Sequence, residues 1–125
     1  MATAIRPLEA VEKKVKVPGI YSDLHYNSEG GDLLGTEVFI VFSDANGYIA
    51  FFQCWQGGTT MPVVVPVKVE GDGISFSIPA PSLGEGKYQG SVGAAGFEGT
   101  WHHRLDNGSF SDEKVHLKRT KSYWQ

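Results

Sequence analysis

Residues 63–78 read VVVPVKVEGDGISFSI. This stretch decides the fold class, because its apolar residues recur at every second position. Val63, Val65, Val67 and Val69 fall on one side of an extended chain, with Val64, Pro66, Lys68 and Glu70 on the other. A helix would scatter these residues around its axis, whereas a strand, whose side chains alternate, collects them on one face. Gly71-Asp72-Gly73 then makes a turn into Ile74, Phe76 and Ile78, which alternate with Ser75 and Ser77. Pro66 has no N–H to give to a ladder, so it predicts an edge, a bulge or a place without a neighbour.

The same grammar extends in both directions. Upstream, Tyr48 to Trp55 stops at Gly57-Gly58, and Leu34 to Phe42 is joined to it by Ser43-Asp44-Ala45-Asn46-Gly47. An Asn-Gly pair tolerates the positive φ of a tight hairpin. The first run, Ile20 to Tyr26, ends at a Ser-Glu-Gly-Gly-Asp turn, residues 28–32. Downstream, a loop over 79–86 leads to Lys87–Val92, a turn over Gly93–Gly96 and a seventh run from Phe97 to His103. A polar loop from Leu105 to Glu113 and a last strand from Val115 to Trp124 complete the pattern.

Eight strand-length runs joined mostly by short turns make a meander. It buries one face either by closing into a barrel or by folding into two stacked sheets. Closure removes exposed edges, and glycines within strands (Gly35, Gly90, Gly99) suit the bends of a small barrel. The expected fold is therefore all-β, an eight-stranded antiparallel up-and-down barrel, with a β-sandwich as the alternative. Only Leu8 to Val17 carries a hint of helical spacing, through Leu8, Val11 and Val15. Residues 1–18 read as an N-terminal arm or short helix, and 19–125 as a single barrel domain.

Composition bounds the function. A chain of 125 residues is the size of one domain, and 41% apolar with 20% charged residues is a globular balance. The net charge of −3 supplies no basic footprint for nucleic acid. The basic stretch from Lys114 to Lys121 reads as the solvated face of a strand, and no run is long and apolar enough for a membrane span. Cys54 is the only cysteine, which excludes an intramolecular disulfide and a cysteine-based zinc cluster. The first eighteen residues carry no apolar signal-peptide core, so the chain reads as cytoplasmic or as a mature form cloned without its signal. The histidines, His25, His102, His103 and His116, show no metal-ligand spacing, and no metal or cofactor is expected. The glycine-rich turns lack the lysine and following helix that phosphate binding uses.

Alternation sorts the remaining residues by face. On the seventh run Phe97, Trp101 and His103 face the core, with Glu98, Thr100, His102 and Arg104 opposite. On the second and third runs both faces are apolar: Val38, Ile40, Phe42, Tyr48, Ala50, Phe52 and Cys54 inside, Phe39, Val41, Ile49, Phe51 and Trp55 outside. Such a two-faced hairpin needs a cover, either residues 1–18 or a second copy of the chain. Phe39, Val41, Ile49 and Phe51 are the candidate interface of a homodimer. Cys54 reads as a small buried hydrophobe rather than a nucleophile.

The barrel interior is the remaining place for chemistry. Eight strands enclose a space that side chains can fill or that can hold one small ligand. A pocket of that kind uses aromatic residues near a mouth of the barrel, and Tyr21, Tyr26, Trp55, Tyr88, Trp101, His103 and Arg119 are the ligand-binding candidates, because they join flat apolar area to a polar tip.

The chain resembles the calycin group, the lipocalins and avidin-like barrels. A lipocalin carries Gly-x-Trp on its first strand and a late arginine that packs on that tryptophan. Here Gly19-Ile20-Tyr21 stands on the first strand, with tyrosine for tryptophan, and Arg119 lies in the last; a Gly-x-Trp, Gly99-Thr100-Trp101, sits on the seventh. The resemblance implies a barrel that binds a small, largely apolar ligand without catalysis. The alternative from the residues is a structural or interaction module acting as a homodimer through the second and third runs. A small barrel enzyme using His103 or Asp23 as a general base is a third reading, which no motif demands.

Overall fold

The computed structural model describes residues 16–57 and 61–125. Of the arm or short helix expected over residues 1–18, all but Lys16, Val17 and Pro18 lies outside the described residues. Every regular element described is a strand: β1 (Gly19–Ser22), β2 (His25–Asn27), β3 (Asp32–Ser43), β4 (Gly47–Gln56), β5 (Val63–Pro66), β6 (Lys68–Glu70), β7 (Gly73–Ile78), β8 (Gly86–Gly93), β9 (Gly96–Arg104) and β10 (Phe110–Arg119). All pairings are antiparallel, in the order β5-β4-β3-β1-β10-β9-β8-β7-β6, with β2 on β3.

The two ends of that order are consecutive pieces of one run, so the sheet curls round into a nearly closed up-and-down barrel. Pro66 explains the junction. It is the last residue paired with β4, opposite Ile49, and the next N–H, of Val67, donates to the Tyr48 carbonyl at 2.9 Å. Beyond it β6 pairs with β7 instead. A residue without a donor stands where the strand changes partners.

Ten segments replace the eight expected because two runs break. The fourth divides at Val67 into β5 and β6, and the first divides at Asp23–Leu24 into β1 and β2. At this second break the Asp23 N–H donates to the Thr36 carbonyl at 3.0 Å, while the Asp23 carboxylate accepts from the Thr36 N–H at 2.7 Å. The chain thus stays on β3 as it turns away from β10.

The last strand also differs from expectation. It starts at Phe110 rather than Val115 and ends at Arg119 rather than Trp124. Polar residues occupy both of its faces near Ser111–Lys114, which hides the alternation. The expected polar loop shortens to residues 105–109, closed by the Leu105 N–H on the Ser109 carbonyl at 2.7 Å.

Inward side chains form one core. Tyr21, Val38, Ile40, Ala50, Phe52, Val65, Phe76, Tyr88, Phe97 and Leu117 are all buried within it. Phe76 stacks on Tyr88 at 5.1 Å between ring centres, and Phe52 lies 5.2 Å from the same ring. Burying each such side chain stabilises the fold by roughly 2–3 kcal/mol.

Candidate functional site

The two ends of the barrel are built differently. The end where β1 starts and β10 stops is plugged by Tyr21 and Arg119. The Arg119 guanidinium lies over the Tyr21 ring at 4.8 Å, and Nη2 donates to the Tyr21 hydroxyl at 2.6 Å. That hydroxyl donates in turn to the Val17 carbonyl at 2.6 Å. Nη1 donates to the Pro18 carbonyl at 3.0 Å, and Nη2 also reaches the Lys16 carbonyl. A Cβ at Gly19 would fall 2.5 Å from Nη1, so only glycine lets the guanidinium come so close. Burial raises the Tyr21 phenol above its ordinary pKa, against the opposing pull of Arg119.

At the other end the wall parts. β10 pairs with β9 from Phe110 to Leu117 but meets β1 only at Lys118 and Arg119, and β2 keeps to β3. A cavity of about 300 Å³ lies there, lined by Asp23, Thr36, Cys54, Trp55, Tyr88 and Trp101 among others, with residues 114–117 of β10 along one side. Its volume is at the low end of small-ligand sites, about 300–1,000 Å³. A larger depression of about 410 Å³ at the junction of β5 and β7 includes Lys68, Ser75, Ser77 and Lys87. Its lysines and serines belong to the solvated face, so the cavity reaching the core is the better candidate.

Trp101 is a fixed wall of this cavity. Its ring stacks on Tyr88 at 5.9 Å and on His103 at 3.7 Å. Its indole N–H points to the carbonyls of Gly84 and Glu85, 3.1 Å from each, which holds the loop between β7 and β8 against the barrel. The His103 Nε2–H donates to the Glu113 carboxylate at 2.6 Å.

Tyr88 is 3% exposed, and burial raises its phenol far above the usual range, with Cys54, Glu113 and Asp23 adding to the effect. Burial also pushes the Cys54 thiol up; the Thr36 hydroxyl, donating to Sγ at 3.6 Å, opposes this and the Asp23 charge adds to it. The thiol is thereby kept protonated, the reverse of what a nucleophile requires.

The structure therefore brings together Trp55, Tyr88 and Trp101 from the sequence candidates, with His103 stacked behind Trp101. Tyr21 and Arg119 meet at the opposite end, and Tyr26 is 58% exposed on β2. His102 and His103 point to opposite faces, His102 pairing with Asp112 at 2.5 Å. Among the described residues no three His, Cys, Asp or Glu side chains gather as a metal-holding group, and no helix is long and apolar enough to cross a membrane.

Sequence reasoning missed Thr36, Val115 and Leu117 as lining residues, and missed Glu113. Starting the last strand at Phe110 would have put Glu113, Val115 and Leu117 on one face. It also missed Glu37, a buried acid on the outer face. Glu37 accepts from Ser22 Oγ at 2.9 Å, from the Tyr123 N–H at 2.9 Å and from Ser122 Oγ.

These bonds lay the C-terminal tail across β1 and β3. Trp124 donates to Gln53 at 3.1 Å and packs 6.2 Å from Trp55. Part of the apolar outer face is thus covered by the chain's own tail. Phe39 and Phe51, opposite each other in register, stay 42% and 44% exposed.

No family model, curated protein or solved structure matches this chain.

Proposed function

We propose that the chain is a non-enzymatic binding barrel that takes a small, largely apolar ligand into the cavity at its open end. The observation that carries this reading is the cavity itself: an opening at the seam between β2 and β10 that leads to Cys54, Trp55, Tyr88 and Trp101. The contact of Arg119 with Tyr21 supports it, since the resemblance to calycins implied that a late arginine packs on the first-strand aromatic. At roughly 30 Å³ for each non-hydrogen atom, about ten atoms fill the cavity. Just under 1 kcal/mol from each reaches micromolar affinity.

The molecule carries its own reporter. Of the three tryptophans, Trp55 and Trp101 line the cavity and Trp124 packs against Trp55. Titration with small aromatic hydrocarbons should quench the fluorescence saturably at micromolar concentration and raise the melting temperature. Flat curves in both measurements would remove the proposal.

A second reading, a homodimeric interaction module, rests on the exposed row Phe39, Phe51 and Val64 across β3, β4 and β5, flanked by Val41 and Ile49. Light scattering tests it directly: a monomer at high concentration ends it.

A further inference from the structure

We propose that the ligand of the open-end cavity is an uncharged molecule bearing one hydrogen-bond acceptor, and that the Tyr88 hydroxyl donates to that acceptor. The inference rests on the binding-barrel reading and names the chemistry of its ligand.

Tyr88 lines the cavity, yet its hydroxyl makes no hydrogen bond to any described residue. Buried polar side chains in native proteins almost always have a partner. The fully enclosed side-chain atoms without one, among the described residues, are Trp55 Nε1 and Arg119 Nε. The Tyr88 oxygen is not among them, and of the two cavities described above Tyr88 borders only this one.

The hydroxyl has no freedom to find a partner elsewhere. Its ring is held by Phe76 stacked at 5.1 Å, Trp101 at 5.9 Å and Phe52 at 5.2 Å. Gly84, with φ +85°, stands beside it: a Cβ there would come 3.2 Å from the Tyr88 oxygen and 3.0 Å from the Phe52 ring. Glycine keeps that space free.

Charge narrows the ligand further. The phenol stays protonated, and a neutral phenol is a better donor than acceptor. After burial and Cys54, the carboxylates Glu113 and Asp23 also favour its neutral form, and their negative charge opposes an anion in the cavity. Lys114 and His116 also border the cavity, but both are exposed and alternate with the inward Val115 and Leu117. An apolar ketone, ester or ether fits these requirements; a carboxylic acid does not.

Three probes of similar size separate the possibilities: indane, 1-indanone and benzoate, titrated by tryptophan fluorescence into the full chain and into Tyr88→Phe. The expected result is 1-indanone bound about three- to tenfold more tightly than indane by the native chain, and equally by Tyr88→Phe. Benzoate should bind more weakly than 1-indanone.

Indane matching 1-indanone, or the ketone preference surviving in Tyr88→Phe, overturns the inference and leaves the binding barrel standing. Benzoate binding the tightest overturns the uncharged class. No binding of any probe removes the barrel reading along with it. Should Tyr88→Phe fail to fold, the infrared carbonyl stretch of 1-indanone bound to the native chain decides. A shift to lower wavenumber than in a hydrocarbon solvent supports the bond, and an unshifted band overturns it.

Discussion

The plugged end of the barrel and its open end use the same kinds of residue for different purposes. At the plugged end Tyr21 meets an arginine that satisfies its hydroxyl and covers its ring, and among the described residues the one enclosed side-chain polar atom left over there is a guanidinium nitrogen. At the open end Tyr88 is clamped just as firmly by rings, yet its hydroxyl has no hydrogen-bond partner among the described residues. Saturated hydrogen bonding reads as stability, whereas a rigid side chain with an unused donor beside a cavity reads as recognition. Changes at the first end should therefore alter folding and spare binding, and changes at the second should do the opposite.

The largest effect belongs to the core that both ends share. Phe76→Ala removes a ring that contacts Tyr88, Phe52 and Phe97, and should lower stability by about 4 kcal/mol in urea unfolding. Arg119→Ala comes next. It strips the plug of its charged hydrogen bonds and should remove about 2–3 kcal/mol. Probe binding at the far end should be unaffected as long as the variant is folded; a parallel loss of binding would break the contrast between the ends.

Alkaline pH tests both ends together. Tyr21 and Tyr88 have folded-state pKa values raised above the unfolded value near 10. The stability from their neutral forms is fully present below about pH 10 and is lost as pH climbs through the folded values. Phenolate absorbance from Tyr21 and Tyr88 should therefore lag until the protein unfolds. Ionisation of Tyr21 and Tyr88 near pH 10 in folded protein, read by absorbance against Tyr21→Phe and Tyr88→Phe, would contradict the burial of both.

Gly84→Ala is a smaller perturbation, about 1 kcal/mol for a side chain at positive φ. It should weaken ketone binding more than it weakens the fold, because the new methyl stands beside the Tyr88 hydroxyl. Phe51→Lys should be smallest, within about 0.5 kcal/mol for an exposed position, with unchanged mass in light scattering if the outer face has no partner.

Much of this was legible in the sequence because strand periodicity is rigid. Once Val63 to Val69 fixed the pattern, the inward sets Val38/Ile40, Ala50/Phe52/Cys54 and Phe97/Trp101 could be read off, and the structure places them inside. What alternation cannot show is where a strand changes neighbour. The bend at Asp23–Leu24 depends on the Asp23 carboxylate reaching Thr36, thirteen residues away. The tail that covers part of the outer face depends on Glu37, which looked like an ordinary solvated acid among apolar residues.

By itself, then, the sequence determined an all-β meander, the face of nearly every strand residue and the Pro66 discontinuity. Those follow from local chemistry: a two-residue period, glycine turns and a missing donor. Only the tertiary structure decided that β1 leaves β10 after two pairs, that the cavity opens at that seam, and that Tyr88 lines it. A cavity is the space left when distant segments fail to meet, and no stretch of chain encodes it alone.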